Sequence, residues 1–213
     1  MFKKVTTTVV EEHAPLTAGA PTTVVNPYSP DAVRLKLDIR DRMAQYASDM
    51  RNYVVSKCNN TEDVPEIAEQ VRVNGTLLVV TMQPYFNNDQ LVEFNSSLAE
   101  TIKAITSVVN VLATNQEFAS DVSNARLRIE HMATVLDKLG VMLANRTTAI
   151  WYAYLTLVQQ QVTSRLQKKW KQEQDLYTQG HNLLVLGQLV PPPNNSMGFA
   201  DLLTEGILNK NLI

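Results

Sequence analysis

Seven apolar residues, Leu91, Phe94, Leu98, Ile102, Ile105, Val109 and Leu112, recur at spacings of 3, 4, 4, 3, 4 and 3. Steps of three and four place side chains on one face of an α-helix, whose period is 3.6 residues. A strand, with a period of two, scatters the same residues over both faces. The next segment repeats the pattern with Phe118, Val122, Ala125, Ile129, Met132, Leu136 and Leu139, and then meets Gly140, where a helix C-terminal glycine belongs. One stripe cannot bury itself. Two in succession predict helices over about 89–114 and 117–139 that pack in a bundle.

The rest of the chain is punctuated in the same way. Ser29-Pro30-Asp31 offers a capping hydroxyl, a proline preset for the first turn and an acid at the positive end of the helix dipole. A helix is expected over 30–57, with Val33, Leu37, Ala44, Ala47, Met50 and Val54 inward. Residues 62–83 read as two short helices interrupted at Asn74-Gly75, with a strand an open alternative for Val79-Val80-Thr81. The longest helix is expected over 145–189, with Trp151, Leu155, Val158, Val162, Leu166, Trp170, Leu176 and Leu183 on its faces. Pro191-Pro192-Pro193 breaks it, and a short helix over 197–208 follows. With only 7 glycines in 213 residues, turn-rich all-β folds are disfavoured. The expected fold is all-α: an up-and-down antiparallel bundle of four main helices plus short ones, with an extended N-terminal arm. The organisation expected is an arm over 1–29, a bundle over 30–190, and a break with a terminal helix over 191–213.

The arm stands apart in composition. Residues 1–30 hold Pro15, Pro21, Pro27 and Pro30 and two β-branched stretches, Val5–Val10 and Thr22–Val25. β-branching favours extended backbone and proline blocks helix. Fully extended, the arm reaches up to about 100 Å. Val9, Val10, Val24, Val25 and Tyr28 are its candidate partner-binding residues, and Tyr152 is the candidate on the bundle, since tyrosine is enriched at interfaces.

Charge and motif argue against several chemistries. With 19 basic and 21 acidic residues the net charge is −2, so no footprint for a nucleic-acid backbone exists, and nucleic acid is not an expected partner. Arg165–Lys171 is the densest basic run and reads as a solvated helix face. The apolar runs are too short to span a bilayer. The N-terminus holds no apolar stretch of signal-peptide type, and the single Cys58 allows no intramolecular disulfide, which together suit a reducing intracellular compartment. The di-metal bundle motif Glu-x-x-His is missing, and His13, His131 and His181 have no ligand spacing, so no metal or cofactor is expected. Asp38 and Asp41, flanked by Arg34 and Arg42, read as a salt-bridged surface rather than an acid–base pair. No catalytic residue stands out, and a non-enzymatic role is expected.

The arm stretches Val5–Val10 and Thr22–Val25, joined to an Asn/Thr/Val-rich, glycine-poor bundle, resemble the minor capsid proteins of large icosahedral DNA viruses. The resemblance is one of style over the whole chain, and no functional residue is carried over from it. It implies a structural protein of a virion that docks to neighbouring capsid proteins through its arm and bundle faces. Two other functions stay open at this point. A bundle enzyme or small-ligand binder requires inward polar groups around a cavity, for which Gln159–Gln161 are the candidates, with Gln160, Arg42 and Asp38 as the telling cluster. An adaptor that binds one protein reversibly requires neither cavity nor lattice.

Overall fold

The computed structural model describes residues 29–186 and 197–210, and all seven elements in that range are α-helices. They are α1 (Pro30–Asn59), α2 (Val64–Met82), α3 (Asn88–Ala113), α4 (Ala119–Lys138), α5 (Ala144–Leu166), α6 (Trp170–Val185) and α7 (Phe199–Lys210). Each helix from α1 to α6 packs on the next in sequence, and α6 returns to α1. The helices α1, α3 and α5 meet one another on the inside, and α7 lies against α1 and α6.

The helix boundaries follow local chemistry. The Ser29 side chain accepts a hydrogen bond from the Ala32 amide, and Pro30 opens the first turn. Asn87 and Gln90 form a reciprocal capping box at the start of α3. Four helices end in the same way. Gly140, with φ 70, donates to the Asp137 carbonyl, and Val141 donates to that of Leu136. The same pair of bonds closes α1 around Asn60, α3 around Asn115 and α5 around Lys168, all at φ between 51 and 58. In this glycine-poor chain, asparagine and one lysine occupy the left-handed position that glycine usually takes.

Two expectations about continuity are corrected. The helix expected over 145–189 is two helices, because Gln167–Lys169 turns the chain at Lys168. The interruption expected at Asn74-Gly75 is absent: α2 is one helix, and Val79–Thr81 belong to it. Asn74 donates its side-chain amide to Asp49 at 2.7 Å. Gly75 is buried where α2 crosses Tyr46 of α1 and Ile102 of α3, so its missing side chain is what the crossing requires.

The core is continuous. Leu91, Phe94, Leu98, Ile102, Ile105 and Val109 are buried as the stripe requires, and so are Ala125, Ile129, Met132, Leu136 and Leu139. Phe118 is not: it precedes α4 and is 44% exposed. In the first half of α1 the inward face is Ala32, Leu35, Ile39 and Met43, whereas Val33 and Leu37 face solvent, a correction to the expected stripe. Trp151 sits at the centre, edge-on to Tyr154 at 5.8 Å and to Phe199 of α7 at 5.5 Å, with Tyr46 at 5.9 Å. Leu166 and Trp170, also expected inward, flank the Lys168 turn and are exposed.

Candidate functional site

Three buried carboxylates are the strongest polar features of the interior, and each is held by neighbours. Glu173, in the first turn of α6, accepts from Arg51 Nε at 3.1 Å and lies 3.7 Å from Arg165 Nη1. The Arg51 guanidinium stacks over Tyr177 at 4.8 Å, and that of Arg165 over Trp170 at 4.6 Å. Asp201, in the first turn of α7, takes a bidentate pair from Arg40 at 2.9 and 2.8 Å, with Lys36 at 3.6 Å. The hydrogen bonds to Asp201 push the Arg40 pKa up. Asp49 accepts from Gln45 at 2.8 Å and from Asn74. These acids tie α6 and α7 to the bundle and α2 to α1. Both Glu173 and Asp201 sit where the helix dipole favours negative charge.

None of this was visible in the pattern. Glu173 lies two residues beyond the run Arg165–Lys171 that reads as a solvated face, yet it is buried together with part of Arg165. The only sequence signal for Glu173 and Asp201 is an acid placed in a first turn, which most surface helices share.

The residues nominated for chemistry do not converge. Gln160, Arg42 and Asp38 are all exposed, so they form no inward cluster; only Gln161 of the glutamine run is buried. Asp38 pairs with Arg34 at 3.9 Å on the surface. His131 is exposed, and the half-buried His181 stands 6.0 Å from the Tyr177 ring; His13 lies outside the described residues. Among the described residues no group of His, Cys, Asp and Glu is placed to hold a metal ion, and no helix is long and apolar enough to cross a membrane. Cys58 is half-buried beside Arg165 and Glu173, and burial pushes its thiol up to about 11, so at neutral pH it is a protonated, poor nucleophile.

Of the candidate partner-binding residues, Val9, Val10, Val24, Val25 and Tyr28 lie outside the described residues. Tyr152 is half-buried between helices: its hydroxyl donates to Glu130, and its ring lies 5.5 Å from the Arg126 guanidinium. Burial, with Glu130 beside it, raises its pKa. Both the hydroxyl and a ring face of Tyr152 are thus already engaged by α4.

The feature that remains is a surface. Between α2 and α3 runs a groove of about 490 Å³ lined by Val73, Leu77, Val80, Phe86, Leu91 and Val92 with Thr, Asn and Gln side chains, and no charged residue contributes to it. Val73, Val80 and Val92 are 39%, 50% and 59% exposed along it. On the other side of α2 a second groove, of about 860 Å³, is lined by Ser29 and Leu35 with the charged Asp31, Arg34 and Asp38 on the α1 side, by Tyr85 after α2, and by Leu208 of α7. Val80 forms the ridge common to both. The chain therefore leaves the described bundle, at Ser29, from the wall of the second groove.

No protein-family model matches the chain. No curated protein and no solved structure matches it either.

Proposed function

We propose that this is a non-enzymatic structural or assembly protein, which docks to neighbouring proteins through its arm and its bundle faces, in the manner of a minor capsid protein of a large icosahedral DNA virus. One observation supports this most: three valines, Val73, Val80 and Val92, stand exposed along an uncharged groove between α2 and α3, and Val80 also borders the groove from whose wall residues 1–28 join the bundle. Contiguous apolar surface is costly to leave in water and is a feature of interaction sites. The buried carboxylates are engaged in holding helices together, which leaves the protein surface rather than an interior site to carry the function. The capsid setting comes from the resemblance of the arm and bundle, and it names the class of partner: other proteins of a virion.

The test is to place a photo-reactive amino acid at position 92, and separately at position 10, in the full chain within the cells that make it. Cross-links from both positions to other chains, identified by mass spectrometry, are expected. A chain that yields no cross-linked partner from either position and is extracted as a single free molecule sinks the proposal.

A further inference from the structure

We infer that the α2–α3 groove is a homodimer interface, against which a second copy of this chain lays its own α2–α3 face. The first observation is a mismatch between composition and position. From Val73 to Asn88 the chain carries no charged residue, and from Thr147 to Ser164 it carries none either. Burial accounts for the second run, because α5 packs on α1, α3, α4 and α6. It does not account for the first. α2 packs on α1 and α3, and its uncharged outer side, with Val73 and Val80, faces solvent. Helices enclosed on all sides dispense with charge; a peripheral helix that does so has its remaining partner outside the chain.

The second is spacing. Val73, Thr76 and Val80 line the groove from α2 at steps of three and four, and Asn88, Leu91 and Asn95 line it from α3 at the same steps. Each row is one side of a coiled-coil seam, in which amides fix register at some cost in stability. Two copies set face to face about a two-fold axis bring four such rows together, as in a four-helix interface. The third is chemistry. A two-fold interface sets a patch against itself, so its polar groups must satisfy their own kind. The polar side chains in the described lining are Thr76, Gln83, Asn88 and Asn95. Hydroxyls and amides both donate and accept, so each pairs with a copy of itself, whereas a lone charge meets its like. The flanking charges are engaged: Arg72 pairs with Glu69, Lys138 with Glu93, and Asp89 sits in the first turn of α3, where the helix dipole favours it.

The inference rests on the assembly reading in one respect: it takes this face of the bundle as a docking surface, and it names the occupant. Three exposed valines make a small apolar centre, so a dissociation constant in the micromolar range is expected. A pair of that strength forms where the chain is concentrated, as in an assembly, and parts on dilution.

The experiment is sedimentation equilibrium on the purified full chain, across micromolar concentrations. A monomer–dimer equilibrium is expected. Val80→Asp is expected to raise its dissociation constant by about a hundredfold or more, since it places a carboxylate in the desolvated seam of each copy. Asn95→Asp keeps the shape of the side chain and is expected to raise the constant by about tenfold or more. Leu127→Asp, at an exposed leucine of α4, is expected to leave it unchanged. All three positions are exposed, and melting followed by circular dichroism confirms that each variant is folded; if Val80→Asp is not, Asn95→Asp decides. A parent chain that stays monomeric overturns the inference. So does a dimer that the folded Val80→Asp and Asn95→Asp variants leave intact, or one that Leu127→Asp dissolves in their place. Failure here is distinct from failure of the assembly reading: a monomeric chain whose position 92 cross-links to a different protein discards the dimer and keeps that reading.

Discussion

At the scale of single residues, the tightest constraints are two glycines and a tyrosine. Gly206 of α7 faces the turn after α4: a β-carbon added there would occupy the space of the Val141 carbonyl group. Backbone cannot step aside, so Gly206→Ala is expected to lift α7 and cost more than about 3 kcal/mol. Gly75→Ala meets the Ile102 side-chain methyl and the Tyr46 ring edge instead. Its overpacking cost is partly offset by better helix propensity, and a net loss of about 0–2 kcal/mol is expected. Urea unfolding followed by tryptophan fluorescence, to which Trp151, edge-on to Phe199 of α7, contributes, checks the order of the two. Tyr46 is fully buried and its hydroxyl, though near that of Tyr154, makes no hydrogen bond of good geometry. Burial raises the pKa of both tyrosines above the ordinary value. A raised folded-state pKa gives stability that is complete below the unfolded value of about 10 and lost as pH climbs beyond it, at roughly 1.4 kcal/mol per pH unit for each group. The Tyr46→Phe/Tyr154→Phe double variant is therefore expected to flatten the alkaline fall in stability. Tyr46→Phe alone, at neutral pH, is expected to be neutral or stabilising by up to about 1 kcal/mol, because it removes a polar group without a partner.

At the scale of elements, the readable signals were those that use one residue for one job. The stripes of α3 and α4 have a single phase, since few apolar residues compete for the opposite face, and apart from the exposed Phe118 and the half-buried Leu112 and Val122 their buried sets match the spacing. The first half of α1 does not have one phase. Val33, Leu35, Leu37 and Ile39 alternate, so two inward faces are available from the sequence; packing against neighbouring helices chose the one carrying Leu35 and Ile39. The α5–α6 break was illegible for a related reason: its left-handed residue is Lys168 rather than glycine or asparagine. A non-glycine residue pays for that conformation, so Lys168→Gly is expected to stabilise the protein by about 0.5–1 kcal/mol in thermal or urea unfolding. Destabilisation by the same change would contradict this account of the corner.

At the scale of the whole molecule, α7 is distant in sequence from α1 yet contributes Phe199, Leu203 and Ile207 to the core that α1 and α5 share. Asp201 fastens it through Arg40 of α1. Asp201→Asn keeps the shape and removes the charge; a loss of about 1–3 kcal/mol is expected, moderated by the partial exposure of Arg40. Faster hydrogen exchange in α7 than in α3 would locate the loss in that contact, and uniform loosening would not. The sequence by itself determined that the protein is helical, where most helices start and stop, and which faces of α3 and α4 turn inward, because caps, periodicity and glycine act within a few residues of chain. Only the tertiary structure decided that Glu173 and Asp201 are buried, that Asn74-Gly75 lies inside a helix, and that an uncharged groove opens between α2 and α3. Those features arise where segments distant in sequence meet: a carboxylate is buried only if guanidinium groups from another helix arrive to pair with it, and a groove exists only between elements that have already packed.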